Sequence, residues 1–446
     1  MFILDGKTRT QLFVIHFFLG IILWRFPFLS TYLGLIIIFI GSYYILNNPD
    51  PKGHFPLIFS AYIVGFEVLL RMTEARVFWE FGKYSVILFL ILGFIRNKRV
   101  KNIHFPIFIY FILLLPSIFM IPLESLHGWR QFVAFNLSGP ACLLISAQYL
   151  FNSKLNMDDI KNILSYSLMP IFSMAIFIML KMPDMGSYLF SPYSDPTTSG
   201  GYGPNQVSTL FGFGITAIVY CLVMNNEIKY NRYTGRYIDL TLLFLFIGLG
   251  LLTFSRGGIF AALISIIISI SIYFFYNQRK TQFILKSILL LFITVITWIN
   301  IEYITHGVIT QRYGFSSVAY EKKFFMDLTG RVEIYLIDLD IFFDNILTGV
   351  GPGQANHLRE FYGYGKNVAA HTEYSRMLAE HGLSGLISLV ILLGVVFNKL
   401  LVYSPRKIKF IKTLFGLLSI ITMSHSAMRL AMPCFIFGFL FPKYEE

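Results

Sequence analysis

The side chains with the strongest claim to chemistry are a histidine, a set of arginines and two neighbouring amides. His371 opens the segment HTEYSRMLAEHGLSG (371–385). Tyr374, Met377, Leu378 and His381 share one face there by helical spacing, and Gly382 after Glu380-His381 marks a helix end. An imidazole takes or gives a proton near neutral pH without much tuning, so His371 is suited to general base work; a plain hydrogen-bonding role is the bland alternative. Arg71, Arg76, Arg130, Arg256, Arg331, Arg376 and Arg429 all fall at or near the ends of apolar runs. One such arginine is commonly a snorkelling side chain, whereas several on one face suit an anion, because guanidinium keeps its charge and grips phosphate through two donors. Thr253-Phe254-Ser255-Arg256-Gly257-Gly258 separates two apolar runs with almost no loop, which would set Arg256 beside the free N–H groups of a new helix. Asn205 and Gln206 stand where a helix begins after GGYGP, as helix-opening or ligand-contacting amides.

Other chemistries lack their residues. His371 and His381 are ten positions apart with no HExxH or comparable cluster, which disfavours a metal site. There is no GxSxG elbow, and Cys142, Cys221 and Cys434 are scattered through apolar stretches as small buried hydrophobes. The GVGPG turn (349–353) lacks the GK[ST] of a phosphate-binding loop, which excludes that kind of ATP site. A formal net charge of +12 is spread over short loops with no nucleic-acid-binding motif, so nucleic acid is not an expected partner.

The elements that must position these residues are membrane helices. The chain of 446 residues is 56% hydrophobic and 13% charged, with apolar runs of spanning length and none of the alternation of a membrane barrel. We expect an all-α polytopic membrane protein of about 12–14 transmembrane helices, with one larger periplasmic loop containing short amphipathic helices. The segments are 11–24, 28–46, 55–72, 82–95, 105–122, 131–151, 162–180, 205–224, 237–254, 257–276, 284–304, 383–403, 409–424 and 430–441. About eleven lie within 1–304, the loop is 305–382, and the remainder lie within 383–446. The first run shows no cleavage site and reads as a retained helix. Basic loops at 96–104, 225–237, 277–286 and 404–410, with Lys7 and Arg9, all fall on one side, which the positive-inside rule makes cytoplasmic, with both termini. The larger loop and the arginine-bearing ends then face outward. Within that loop, residues 331–347 predict an amphipathic helix whose Glu333, Asp338, Asp340 and Asp344 form a solvated face. Glu67 and Arg71, four apart, predict an ion pair within one helix.

GGYGPNQVS (200–208), TFSRGG (253–258), the GR…GVGPG pattern (330–353) and HTEYSRMLAEHGLSG (371–385) resemble the O-antigen ligase and polymerase superfamily, in order along the chain as well as in residues. The likeness covers roughly residues 200–400. It implies a glycosyltransferase of the bacterial inner membrane with its active site facing the periplasm. Its donor would be an undecaprenyl-diphosphate-linked glycan, and its acceptor a glycan or lipid A–core hydroxyl. It implies no cofactor and no metal, because the diphosphate already activates the sugar. Membrane lipids surround such an enzyme, and a chain-length regulator or other polysaccharide-assembly membrane proteins would be its protein partners. Matched residue by residue, His371 implies the base for the acceptor hydroxyl, Arg256 and Arg331 the diphosphate contacts, and Asn205 and Gln206 the polar pair opening a span. Arg376 is a further candidate for substrate contact. Many relatives also carry an arginine ahead of that Asn, but this chain has none between Lys181 and Arg232, which leaves Lys181, Arg130 or Arg429 to replace it.

The reading from another class is a transporter or flippase of lipid-linked sugars. Transporters commonly show internal repeats and mid-membrane charges. Here no repeat is found and the charges gather at one face, which favours chemistry at the surface. No residue reports the acceptor, so ligase and polymerase stay open.

Overall fold

The computed structural model describes residues 4–97, 102–121, 129–224, 234–275, 280–313, 326–365 and 370–445. In chain order the helices are α1 (Gly6–Arg25), α2 (Leu29–Asn47), α3 (Phe55–Met72), α4 (Phe81–Asn97), α5 (Phe105–Ile112), α6 (Trp129–Phe151), α7 (Met157–Lys181), α8 (Pro204–Met224) and α9 (Thr234–Leu252). They continue as α10 (Arg256–Phe275), α11 (Lys280–Ile304), α12 (Val308–Tyr313), α13 (Met326–Asp344), α14 (Ala355–Leu358), α15 (Glu373–Leu401), α16 (Arg406–Ser426) and α17 (Ala431–Phe437). The protein is an all-α polytopic membrane protein. Among the described residues nine helices are long and apolar enough to cross a bilayer, and three shorter apolar helices (Phe105–Met120, Leu291–Ile304, Ala431–Leu440) accompany them. The helical state follows from the apolar surroundings, where backbone polar groups can be satisfied only within the segment. A two-residue parallel pairing, Lys154–Leu155 with Lys443–Tyr444, ties the end of α6 to the C-terminal segment.

Local signals set the ends. Asn156 and Asp159 form a reciprocal capping box at the start of α7, at 2.8 and 3.0 Å. Pro56 and Pro106 occupy the first turns of α3 and α5, where a missing N–H costs nothing. Burial separates core from rim: α3, α7 and α8 are largely enclosed, while α2 and the second half of α15 present Phe39, Tyr43, Val390, Phe397 and Leu401 outward. The core pairs are α3 with α7, α10 with α16 and with α8, and α15 with α5, α13 and α16. Gly258 lets α10 meet α8 at backbone distance, since a Cβ there would stand 2.3 Å from the Ser208 carbonyl carbon.

Gly382 ends a helix as expected: it takes φ +58°, ψ −136°, outside helical geometry, and α15 is two helices joined across the kink there. A Cβ on it would meet the Gly349 nitrogen at 2.5 Å, so the GVGPG turn packs into the bend. Three expectations change. Asp338 is not on a solvated face. It is wholly buried and paired with Arg359, whereas Glu333, Asp340 and Asp344 are exposed as expected. Arg9 is no loop charge either, being buried against Asp239. Finally, Asn205 and Gln206 lie inside the first turn of α8 and spend their side chains on distant segments.

Candidate active site

Several helix ends converge at one end of the bundle: the starts of α8, α10, α15 and α17, and the ends of α3 and α16. Thr372 caps α15, its hydroxyl accepting from the Tyr374 N–H at 3.2 Å, which puts His371 on the approach to the cap. Three further contacts fix this turn. The Tyr374 hydroxyl donates to the Ile420 carbonyl at 2.6 Å, the Ser375 hydroxyl donates to Asp338 at 2.6 Å, and Asp338 accepts twice from Arg359, at 2.6 and 2.9 Å. Asp338 and Arg359 therefore act as a support under the His371 turn.

Arg376 lies one turn further into α15. It donates to Glu380 at 3.0 Å, to the Asn136 amide oxygen at 2.6 Å and to Glu373 through a short pair. Glu373 in turn accepts from the Met428 N–H at 3.2 Å. With these partners Arg376 closes an internal cage and ties α15 to α6 and to the turn before α17.

That turn carries Arg429, which donates to the Ala370 carbonyl at 2.6 Å, immediately before His371. Arg429 makes no ion pair among the described residues, and burial with the charges of Arg376, Arg359 and Arg331 lowers its pKa from the usual guanidinium value. His371 feels the same field. Burial, then the charges of Arg429, Arg331 and Arg359, push its pKa down to about 4, and its Nδ1 is a buried nitrogen with no partner among the described residues. The imidazole is neutral at pH 7 and keeps a lone pair for an incoming proton. An anion among these guanidinium groups would relieve the cationic field and raise its basicity.

A second turn faces this one. Phe254 sits at φ +53°, a conformation costly for a bulky residue, and directs the chain into α10 at Arg256. Ala427, at φ +51°, stands likewise two positions before Arg429. Arg256 donates to the Arg312 carbonyl at 3.2 Å, and Arg312 donates to the Phe254 carbonyl at 2.8 Å. Asn205 bridges to the end of α16: its amide N–H donates to the His425 carbonyl at 2.9 Å, and its oxygen lies 3.2 Å from His425 Nδ1. The Gln206 oxygen accepts from Arg71 at 2.7 Å and from the Tyr202 hydroxyl at 3.2 Å. Arg71 also forms the expected intrahelical pair with Glu67, at 2.7 Å, and bonds the Arg429 carbonyl at 3.2 Å. Glu67 accepts from the Ala431 N–H at 2.8 Å, so this pair holds the Arg429 turn from beneath.

Residues 241–390 match a family model described as O-antigen ligase. No curated protein matches the chain. The O-antigen ligase match supports the resemblance drawn from the motifs. It runs from α9 into α15 and takes in Arg256, Arg331, His371 and Arg376, while Asn205, Gln206, His425 and Arg429 lie outside it.

The structure thus gathers Asn205, Arg256, Arg331, His371 and Arg429 at one end of the bundle, sets Gln206 on Arg71, and encloses Arg376 among carboxylates. The Arg130 side chain lies outside the described residues. Lys181 stands over the Phe177 ring, 5.3 Å from its centre. Sequence reasoning missed Arg312 and His425, gave Arg359 no role and set Asp338 on a solvated face. Only His425 carried a visible signal, a histidine four positions ahead of Arg429 near the end of an apolar run.

Proposed function

We propose that the protein transfers an undecaprenyl-diphosphate-linked oligosaccharide or polysaccharide to a sugar hydroxyl, at the periplasmic face of a bacterial inner membrane. The observation that carries this reading is a neutral, half-buried His371 set among Arg429, Arg331 and Arg359, within a segment matching the O-antigen ligase family. His371 accepts the proton of the acceptor hydroxyl as its oxygen attacks the anomeric carbon. The bond from that carbon to the diphosphate oxygen breaks, and undecaprenyl diphosphate leaves with the electron pair. Arg256, Arg331 and Arg429 neutralise the departing charge, which is where fixed positive charge lowers a barrier most. Arg376 supports the His371 turn from inside. The diphosphate drives the transfer, so the reading calls for neither ATP nor a metal.

The test is transfer of labelled glycan from undecaprenyl diphosphate by the purified protein in vesicles, with vesicle-to-vesicle passage of the same lipid followed in parallel. Incorporation into polymer or acceptor supports the reading; passage without incorporation overturns it in favour of a transporter. Deletion of the gene separates the acceptors. Long chains on the carrier with none on lipid A–core identify a ligase, and single repeat units attached identify a polymerase.

A further inference from the structure

His425 is a second histidine of this site, and the transfer chemistry above leaves it without a task. It lies in the last turn of α16 with its ring against the first turn of α10. A Cβ on Gly257 would stand 2.6 Å from its Nδ1, so glycine at that position is what admits the imidazole beside Arg256. The hydrogen bonds around it decide its tautomer. Asn205 donates through Nδ2 to the His425 carbonyl, which leaves its oxygen facing the ring. The same oxygen accepts from the Ser255 hydroxyl at 3.4 Å. An amide oxygen can only accept, so His425 Nδ1 carries the proton and Nε2 carries the lone pair. Nε2 is buried and meets no partner among the described residues, in a residue only 9% exposed.

A histidine that served only to join α8, α10 and α16 would be complete with its Nδ1 bond. The empty acceptor on the other side is a cost that native interiors seldom carry without a reason. Two neighbours suggest the reason. Arg256 adjoins Gly257, against which the ring packs, and the Arg331 charge acts on His425 as well as on His371. If those arginines hold the donor diphosphate, the ligand atoms next to it are those of the first sugar.

We propose that His425 Nε2 accepts a hydrogen bond from a hydroxyl or amide N–H of the donor sugar attached to the diphosphate. His425 thereby reads the donor sugar while His371 serves the acceptor. This rests on the transferase reading above, and no bond is made or broken at His425.

The test uses the full-length protein in phospholipid vesicles and two probes, undecaprenyl diphosphate carrying its glycan and bare undecaprenyl diphosphate. His425→Asn keeps a donor near the Nδ1 position and removes the acceptor; His425→Gln places an amide oxygen near the Nε2 position. His425→Asn should bind the glycan-bearing lipid about tenfold more weakly, with a matching fall in kcat/KM, yet bind the bare lipid as the wild type does. His425→Gln should recover most of the loss. Unchanged glycan-lipid binding in His425→Asn overturns the proposal. So does an equal loss for both lipids together with a lowered melting temperature, or a His425→Gln that is worse than His425→Asn, since each describes a helix latch. A wild type that binds the two lipids differently through His425 but transfers nothing would end the transferase reading and leave this one standing. A wild type that binds neither lipid would end both.

Discussion

Arg376 and Arg429 line the same small pocket, together with Asn136, Asn356, Ala370 and Glu373, yet they are held in different ways. Arg376 meets Glu373, Glu380 and Asn136 in a cage that is closed within the protein. Arg429 meets one backbone carbonyl and lies in the field of Arg376, Arg359 and Arg331. A guanidinium balanced by carboxylates joins helices together. A guanidinium surrounded by like charge is unfavourable in the empty protein and favourable once an anion arrives. The same residue type in one neighbourhood thus serves architecture in one case and, on the function proposed, ligand binding in the other.

The comparison breaks most directly at the cage. Arg376→Ala leaves Glu373 and Glu380 buried without a counter-charge, a loss of about 3–5 kcal/mol that would show as poor membrane yield and a lowered unfolding midpoint. Arg429→Ala should keep the wild-type midpoint and lose transfer. If the two variants behave alike in both assays, the distinction between cage and site is wrong.

His371→Ala should lower kcat by about 10²–10⁴ with insertion and unfolding unchanged, measured by glycan incorporation and thermal melting. Near-normal polysaccharide would remove His371 from the chemistry. A smaller effect is expected at Arg256. Lysine keeps the charge without the two-pronged donor, so Arg256→Lys should recover part of the activity lost in Arg256→Ala and remain about tenfold below the wild type. Full activity with lysine would argue against a bidentate phosphate contact.

The smallest effect is a displacement of a pH profile. On the function proposed, His371 works as a base only when neutral, so activity should be lost as pH falls through its pKa. That pKa is about 4 in the free protein, which places the acid limb of kcat/KM well below the usual histidine value. With a donor diphosphate bound among the arginines the pKa rises, and the acid limb of kcat should lie at higher pH than that of kcat/KM. A kcat/KM limb at or above pH 6.5 would show that burial and the guanidinium field together do not lower the His371 pKa.

Much of the scaffold was legible in the sequence. Among the described residues each of the fourteen apolar segments overlaps a helix, although 105–122 and 430–441 hold only a short α-helix followed by a 3₁₀ turn. The Glu67–Arg71 pair was legible too, because four residues on a helix is a local distance. Asp338 misled because the three other acids of its pattern are indeed exposed; its burial depends on Arg359 and Ser375, which come from other segments. Asn205 and Gln206 were visible as polar residues at a helix start, but their partners lie 220 and 135 positions away.

By itself the sequence determined the class of molecule, because runs of apolar residues in lipid have few ways to satisfy their backbone other than as helices. It also marked His371 and Arg256, whose motifs are short and local. The Glu373 and Glu380 partners of Arg376 lie three and four positions away on one helix, so that half of the cage is local too. The Asn136 contact that completes it, the Ala370 carbonyl that holds Arg429 and the nitrogen of His425 that keeps its lone pair were decided only by the tertiary structure. Each depends on which oxygen of a distant segment stands within about 3 Å, the range over which a hydrogen bond acts, and helix packing sets that distance.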